Sequence, residues 1–163
     1  MKIFGVTGWK NSGKTHLVER LVTEITARGF SVSTVKHAHH EADIDRPGRD
    51  SYRHRIAGAR EVMLATPARW ALVHELREEK EPPLAELLAK LSPVDLVLIE
   101  GFKREGHAKI EVHRTATGHP LIAPQNLTVR AIASDATPDT MLPLLHLDDT
   151  DTIADFILKE IGL

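Results

Sequence analysis

The 163-residue sequence contains no cysteine, and its aromatic residues are two Trp, one Tyr and four Phe. Without thiols there is no disulfide and no thiolate metal site, which agrees with a reducing compartment. With aromatics at 4%, the core has to be built from Leu, Ile, Val and Ala. An excess of one charge is also missing. The formal net charge is −2, so no strong field points to nucleic acid or a membrane surface. No apolar run approaches the roughly 20 residues of a membrane span, and no basic start leads into the apolar stretch of a signal peptide. The expectation is a single cytoplasmic domain over residues 1–163, with neither nucleic-acid nor membrane partner. The sequence does have an apolar fraction of 42%, enough for a core, and ten histidines, several of them clustered.

Hydropathy patterning along the chain alternates strand and helix. Residues 2–7 (KIFGVT) read as a buried strand. Residues 14–28 follow, with Leu17, Val18, Leu21, Val22 and Ile25 at helical spacing and Gly29 where a helix should stop. Residues 31–36 (SVSTVK) are rich in β-branched side chains and read as a second strand, parallel to the first because a helix lies between them. A polar loop over 37–50 precedes a helix over 52–58 that Ser51 can cap. Residues 61–65 and 70–74 read as two strands joined through Thr66-Pro67-Ala68, and 83–91 as a helix. Residues 94–99 (VDLVLI) form a second clear buried strand, followed at once by Glu100-Gly101. Shorter strands are expected at 109–113 and 129–133, and an amphipathic helix at 150–161. This order predicts an α/β domain with a mostly parallel sheet flanked by helices and an additional β-hairpin.

Gly8-Trp9-Lys10-Asn11-Ser12-Gly13-Lys14-Thr15 matches G-x-x-x-x-G-K-[ST] in full, with a strand before it and a helix after it. The glycines let the backbone bend close to phosphate oxygens, and successive amide hydrogens from Trp9 to Thr15 then face the anion. Lys14 would reach the β and γ phosphates, and Thr15 would place its hydroxyl on Mg²⁺. Lys10 adds local positive charge. The motif therefore predicts a nucleoside triphosphate held with Mg²⁺.

Such a site needs a carboxylate at the end of a neighbouring strand to hold the metal or its water. Glu100 closes VDLVLI at the carboxyl end, where ligands of open parallel sheets bind. Lys14 and Glu100 are thus the expected catalytic groups, and Thr15 and Glu100 the metal ligands. Gly101 would let backbone approach the γ phosphate. Lys103 is readable as a phosphate contact or as surface charge. After the second strand, the loop holds Asp43, Asp45 and Asp50, which can bind Mg²⁺ through water and change shape when the γ phosphate is lost. His37, His39 and His40 suggest a transition metal, but no cysteine accompanies them, and polar loop histidines are the favoured reading.

The guanine-reading motif N-K-x-D is absent. Asp135, in A-I-A-S-D, can accept from guanine N1–H and N2–H together, or can serve as a turn or cap aspartate. Motif chemistry leaves GTP against ATP open.

The G-W-K-N-S-G-K-T loop, V-K-H-A-H-H, D-R-P-G-R-D-S-Y-R-H-R-I-A-G-A and D-L-V-L-I-E-G-F-K together resemble the MobB family of molybdopterin-guanine dinucleotide biosynthesis accessory proteins. The resemblance implies a P-loop NTPase fold, GTP as ligand, weak GTP hydrolysis and a homodimer. It also implies an adaptor role toward a molybdenum cofactor guanylyltransferase, which joins GMP to molybdopterin, with molybdopterin itself a further candidate ligand. Carried over by motif, Gly8 to Thr15 would hold phosphates, Glu100 the metal or water, and Asp45 and Asp50 would belong to a mobile loop. Strands at 61–74 and 109–113 are candidate edges for pairing between chains. Two other readings stay open. One is a small-molecule kinase with Arg46, Arg49, Arg53 and Arg55 around an acceptor. The other is a metal-delivery GTPase suggested by the histidine loop, against which the missing cysteines count.

Overall fold

The computed structural model describes residues 1–38 and 45–163; His39, His40 and Asp43 of the histidine-rich loop lie outside the described residues. The chain gathers into two compact units, Met1–His37 with Leu84–Leu163, and Ala38–Pro83.

The first unit is built on a six-stranded sheet in which every paired neighbour runs parallel. Its strands are β1 (Lys2–Gly8), β2 (Val32–Lys36), β5 (Leu96–Glu100), β6 (Lys109–His113), β7 (Val129–Ser134) and β8 (Leu144–His146), in the spatial order β2-β5-β1-β6-β7-β8. Helix α1 (Lys14–Ala27) buries Leu17, Val18, Leu21 and Ile25, and α4 (Thr150–Ile161) buries Ile153, Ala154, Ile157 and Leu158. Both stripes join one core with Phe4, Val6, Leu96, Leu98, Ile110 and Val112. On β5 the intervening residues Val97 and Ile99 face a second, smaller core with Leu84 of α3 (Leu84–Leu88). Burial on both faces is why β5 reads as an unbroken apolar run rather than an alternating one.

Helix ends follow their chemistry. Past α1, Gly29 adopts φ 93°, its N–H donates to Thr26 O and that of Phe30 to Ile25 O. This pair of bonds closes the helix, and the left-handed residue it requires suits glycine. Asp149 caps α4 by accepting from Thr152 N at 3.1 Å. No described helix is long and apolar enough to cross a membrane.

The second unit holds α2 (Asp50–Ile56) and an antiparallel hairpin of β3 (Glu61–Ala65) with β4 (Trp70–His74). Among its described residues Val62 is the one buried apolar side chain, while Ile56, Met63, Leu64, Trp70 and Leu72 are exposed.

Two expectations change. The strand at 109–113 is no edge, because it lies between β1 and β7 and four of its five residues are buried. Ser51 does not cap α2: Arg49 occupies the cap position without a side-chain bond, and Ser51 Oγ donates to Asp45 Oδ1 at 2.9 Å. The first two strands are parallel as expected, and β5 is inserted between them.

Candidate functional site

The carboxyl ends of β1, β2, β5 and β7 deliver Gly8, Lys36, Glu100 and Ser134 to one edge of the sheet, the edge at which open parallel sheets bind ligands. From Gly8 the chain turns sharply into α1. Gly8 has φ 148°, and a Cβ there would sit 2.4 Å from Val112 O and 2.7 Å from Ser12 Oγ. Gly13 has φ 97° and occupies the helix cap position without any side-chain cap bond. Asn11 takes a left-handed φ of 64°, which asparagine tolerates. The first backbone bond of α1 runs from Leu17 N to Gly13 O. Amides of the preceding turn have no helical carbonyl to meet, and the positive end of the helix dipole lies with them; of these, Ser12 N–H donates to Trp9 O at 3.3 Å within the loop. A depression of ≈ 360 Å³ opens there, lined by Asn11, Gly13, Lys14, Thr15 and His16. A larger groove of ≈ 650 Å³ lies elsewhere, lined by Leu127, Met141 and Phe156 among others. Its Arg130 is already paired with Glu160 at 3.4 Å, so the smaller depression carries the convergent charge.

Two buried hydroxyls near this loop, Thr7 Oγ1 and Ser12 Oγ, have no hydrogen-bond partner. Buried polar atoms rarely go unpaired without a reason, and a polar ligand on the loop would supply one for Ser12. Lys14 Nζ donates to Trp9 O at 2.7 Å. Burial lowers its pKa; Glu100 pulls it back up, while Lys103 and Lys36 push it further down. The three ammonium groups therefore share one field around a single carboxylate.

That carboxylate is Glu100, nearly buried at the end of β5. Its Oε1 accepts from Thr15 Oγ1 at 2.9 Å. A hydroxyl and a carboxylate oxygen in this proximity form a hard, oxygen-only pair of the kind Mg²⁺ takes. Lys36 Nζ lies 3.1 Å from Thr15 Oγ1 and 3.3 Å from Glu100 Oε1. Gly101, at φ 94°, is close to His37, whose Cβ would be 3.1 Å from an added side chain. Phe102 stacks on the His37 ring with centroids 4.6 Å apart.

The rest of the loop leans on residues 114–126. The Trp9 indole N–H donates to Pro120 O at 2.7 Å, and its ring stacks on His119 at 4.9 Å. Lys103 Nζ sits 4.3 Å from the Trp9 ring centroid. Glu111, fully buried on β6 beside Thr7, accepts from Ile122 N at 2.7 Å and Ala123 N at 2.8 Å. Burial pushes its pKa up, and those two N–H bonds oppose the shift. Lys10 is exposed.

Asp135 follows β7 at the same sheet edge. Its Oδ1 accepts from Thr115 N at 3.0 Å, and its Oδ2 lies 3.7 Å from Arg114 Nη1. The Thr115 bond is the main cause of its lowered pKa, with Arg114 adding to it. The Arg114 guanidinium in turn lies against Gly13, its Nε 3.1 Å from where a Cβ would be. Asp45 and Asp50 belong to the second unit. Asp45 is engaged there by Ser51 and by Arg55 Nε at 3.5 Å, and Asp50 is exposed, 3.9 Å from Arg53.

Sequence reasoning gave no role to Lys36, Glu111, Arg114 or His119. Lys36 carried a readable signal, since it ends a strand whose carboxyl end lies at the ligand edge. The other three depend on a loop whose path no local pattern announces.

The family model for molybdopterin guanine dinucleotide synthesis protein B matches residues 3–135. The molybdopterin-guanine dinucleotide biosynthesis adapter protein of Escherichia coli is 37% identical over 96% of this chain and 91% of its own length. The adapter protein of Haemophilus influenzae is 39% identical over 95% of this chain and 86% of its own. The crystal structure of Bacillus subtilis MobB superimposes with a TM-score of 0.77 at 26% identity, covering 99% of this chain and 98% of that one. With its phosphate-loop geometry, its parallel sheet and these likenesses over nearly its whole length, the chain belongs to the MobB family.

Proposed function

We propose that the chain binds GTP with Mg²⁺ and acts as an accessory protein of molybdenum cofactor biosynthesis, assisting a partner guanylyltransferase in attaching GMP to molybdopterin. The adapter role rests on family membership and on the names its relatives carry. The nucleotide reading rests on one observation: the uncapped start of α1 meets the Thr15–Glu100 pair with Lys14 beside it. Residues 1–163 would act as one nucleotide-binding domain, with Ala38–Pro83 as an inserted segment. It would work in the cytoplasm as a homodimer, for which the exposed Met63, Leu64, Trp70 and Leu72 of the hairpin provide an apolar surface.

The donor set fits a metal–triphosphate. Backbone amides from Trp9 to Thr15 would cradle phosphates, and the hydroxyl of Thr15 with the carboxylate of Glu100 would hold the metal. Mg²⁺ bound there would neutralise charge on the β and γ phosphates. Lys14 would leave Trp9 O for phosphate oxygens, which relieves the repulsion it shares with Lys36 and Lys103. Gly101 would allow backbone near the γ phosphate. Glu100 would orient the attacking water, directly or through a second water. Slow hydrolysis to GDP and phosphate follows from positioning and electrostatics alone. Asp135 would read guanine, and Asp45 and Asp50 would respond to the nucleotide state.

Calorimetric titration with hydrolysis-resistant GTP and ATP analogues in the presence of Mg²⁺ tests the reading. Preference for the guanine analogue is expected. Preference for adenine would move a small-molecule kinase to the front, and absence of binding to both would end the nucleotide reading.

A further inference from the structure

Lys36 is the last residue of β2, in register with Glu100 on β5. Thr15 Oγ1, Glu100 Oε1 and Lys36 Nζ form a triangle with sides of 2.9, 3.1 and 3.3 Å. Two of its corners are the oxygens assigned to the metal, and the third is a cation. The corners also differ in freedom: the Glu100 side chain is 9% exposed, that of Lys36 54%. A fixed carboxylate thus faces an ammonium on a flexible, half-solvated stem.

We propose that Lys36 serves as the resident cation of the Thr15–Glu100 pair, excluding metal until a triphosphate arrives to draw the ammonium away. The proposal rests on the phosphate-loop reading above. Its physical basis is competition. An ammonium and a divalent ion cannot both take the same two oxygens at contact distance, so metal entry must displace Lys36. Around the displaced ammonium, Lys14 and Lys103 are of the same sign, which leaves the terminal phosphate as the favourable partner. Nucleotide-free protein should then bind metal weakly, and the displaced Lys36 should favour triphosphate over diphosphate. An exposed surface ion pair would have neither effect.

The test uses the full chain, with Lys36→Met and Lys36→Arg beside the wild type. Mn²⁺ is the metal probe, followed by paramagnetic resonance without nucleotide. GDP and a hydrolysis-resistant GTP analogue are then titrated by calorimetry. For Lys36→Met, bare Mn²⁺ affinity should rise about tenfold and the triphosphate-to-diphosphate affinity ratio should fall about tenfold, the size of one charge-assisted hydrogen bond. Lys36→Arg, which keeps the charge, should leave both near wild type. Unchanged Mn²⁺ affinity in Lys36→Met, with helical content and GDP affinity intact, would overturn the proposal. A fall in GTP and GDP affinity by the same factor would also overturn it, because that is the mark of a general structural loss. Failure of the wild type to bind either nucleotide would instead strike the phosphate-loop reading, while the Mn²⁺ comparison would still decide the role of Lys36.

Discussion

The six-stranded unit and the hairpin unit treat polar and apolar residues in opposite ways. In the first, Thr7, Ser12, Glu100, Lys109, Glu111 and Ser134 are buried, although burying polar groups costs free energy unless they are satisfied. In the second, Met63, Leu64, Trp70 and Leu72 are exposed on a two-stranded sheet, and Val62 alone among the described apolar residues is buried. An isolated hairpin is marginally stable in water. Some of the buried polar groups are structural, Lys109 and Glu111 being satisfied by neighbouring loops, while Ser12 and Glu100 lie at the candidate site; the exposed apolar side chains of the hairpin mark where a further surface is expected. Substitutions in the phosphate loop and in the hairpin should therefore separate nucleotide binding from association.

Lys14→Ala should have the largest effect. Loss of a charge-assisted phosphate contact in a partly buried site should weaken binding of the GTP analogue by about 100-fold, measured by calorimetry. Near-wild-type affinity would remove Lys14 from the phosphate site and erase the contrast between the units. Glu100→Gln should come next. Phosphate release should slow on the order of tenfold to a hundredfold, while analogue affinity changes less; unchanged turnover would take Glu100 out of the hydrolytic step.

The converse comparison is Trp70→Glu. A charge in the hairpin's apolar surface should raise the dimer dissociation constant by about tenfold or more, read by light scattering across concentration. Nucleotide affinity should stay at the wild-type value. A wild type that is a monomer at all concentrations would remove the homodimer from the proposal.

The last expected effect, on stability rather than binding, concerns a half-buried group far from the phosphate loop in sequence. Burial, reinforced by the nearby Lys109 ammonium, pushes the His107 pKa from 6.5 down to about 4. The unfolded chain therefore takes up a proton that the folded chain refuses. The resulting stability is fully present above pH 6.5 and is lost as pH falls toward about 4. Urea midpoints at pH 7 and 4.5 should show this decline in the wild type and a shallower one in His107→Leu. An equal decline in both would assign acid sensitivity to other groups.

Legibility from sequence divided along the same line. The phosphate loop, α1, the buried run of β5 and α4 all carry their signal within a short window: a spaced motif, a 3.6-residue period, or continuous apolar residues. The helix expected at 150–161 matches α4 (Thr150–Ile161). Strand β6 lies at the expected bounds but is not the edge its alternating Lys109 and Glu111 suggest. Each is instead satisfied inside, Lys109 by Glu105 O and Thr128 Oγ1, and Glu111 by two loop amides. The three-residue strand β8 (Leu144–His146) was missed because it is too short to establish a period.

The sequence by itself determined the phosphate-loop motif, the alternation of helices and strands, and the family, because each depends on residues close together in the chain. Tertiary structure alone decided that β5 enters between β1 and β2. That insertion sets Glu100 beside both Thr15 and Lys36, 85 and 64 residues away along the chain. The same holds for Glu111, which orders the loop that carries Pro120 and His119 to Trp9. The physical reason is that a strand's neighbours are chosen by packing on both faces of a sheet. The partners of its last residue are therefore fixed by the assembled sheet and not by local sequence.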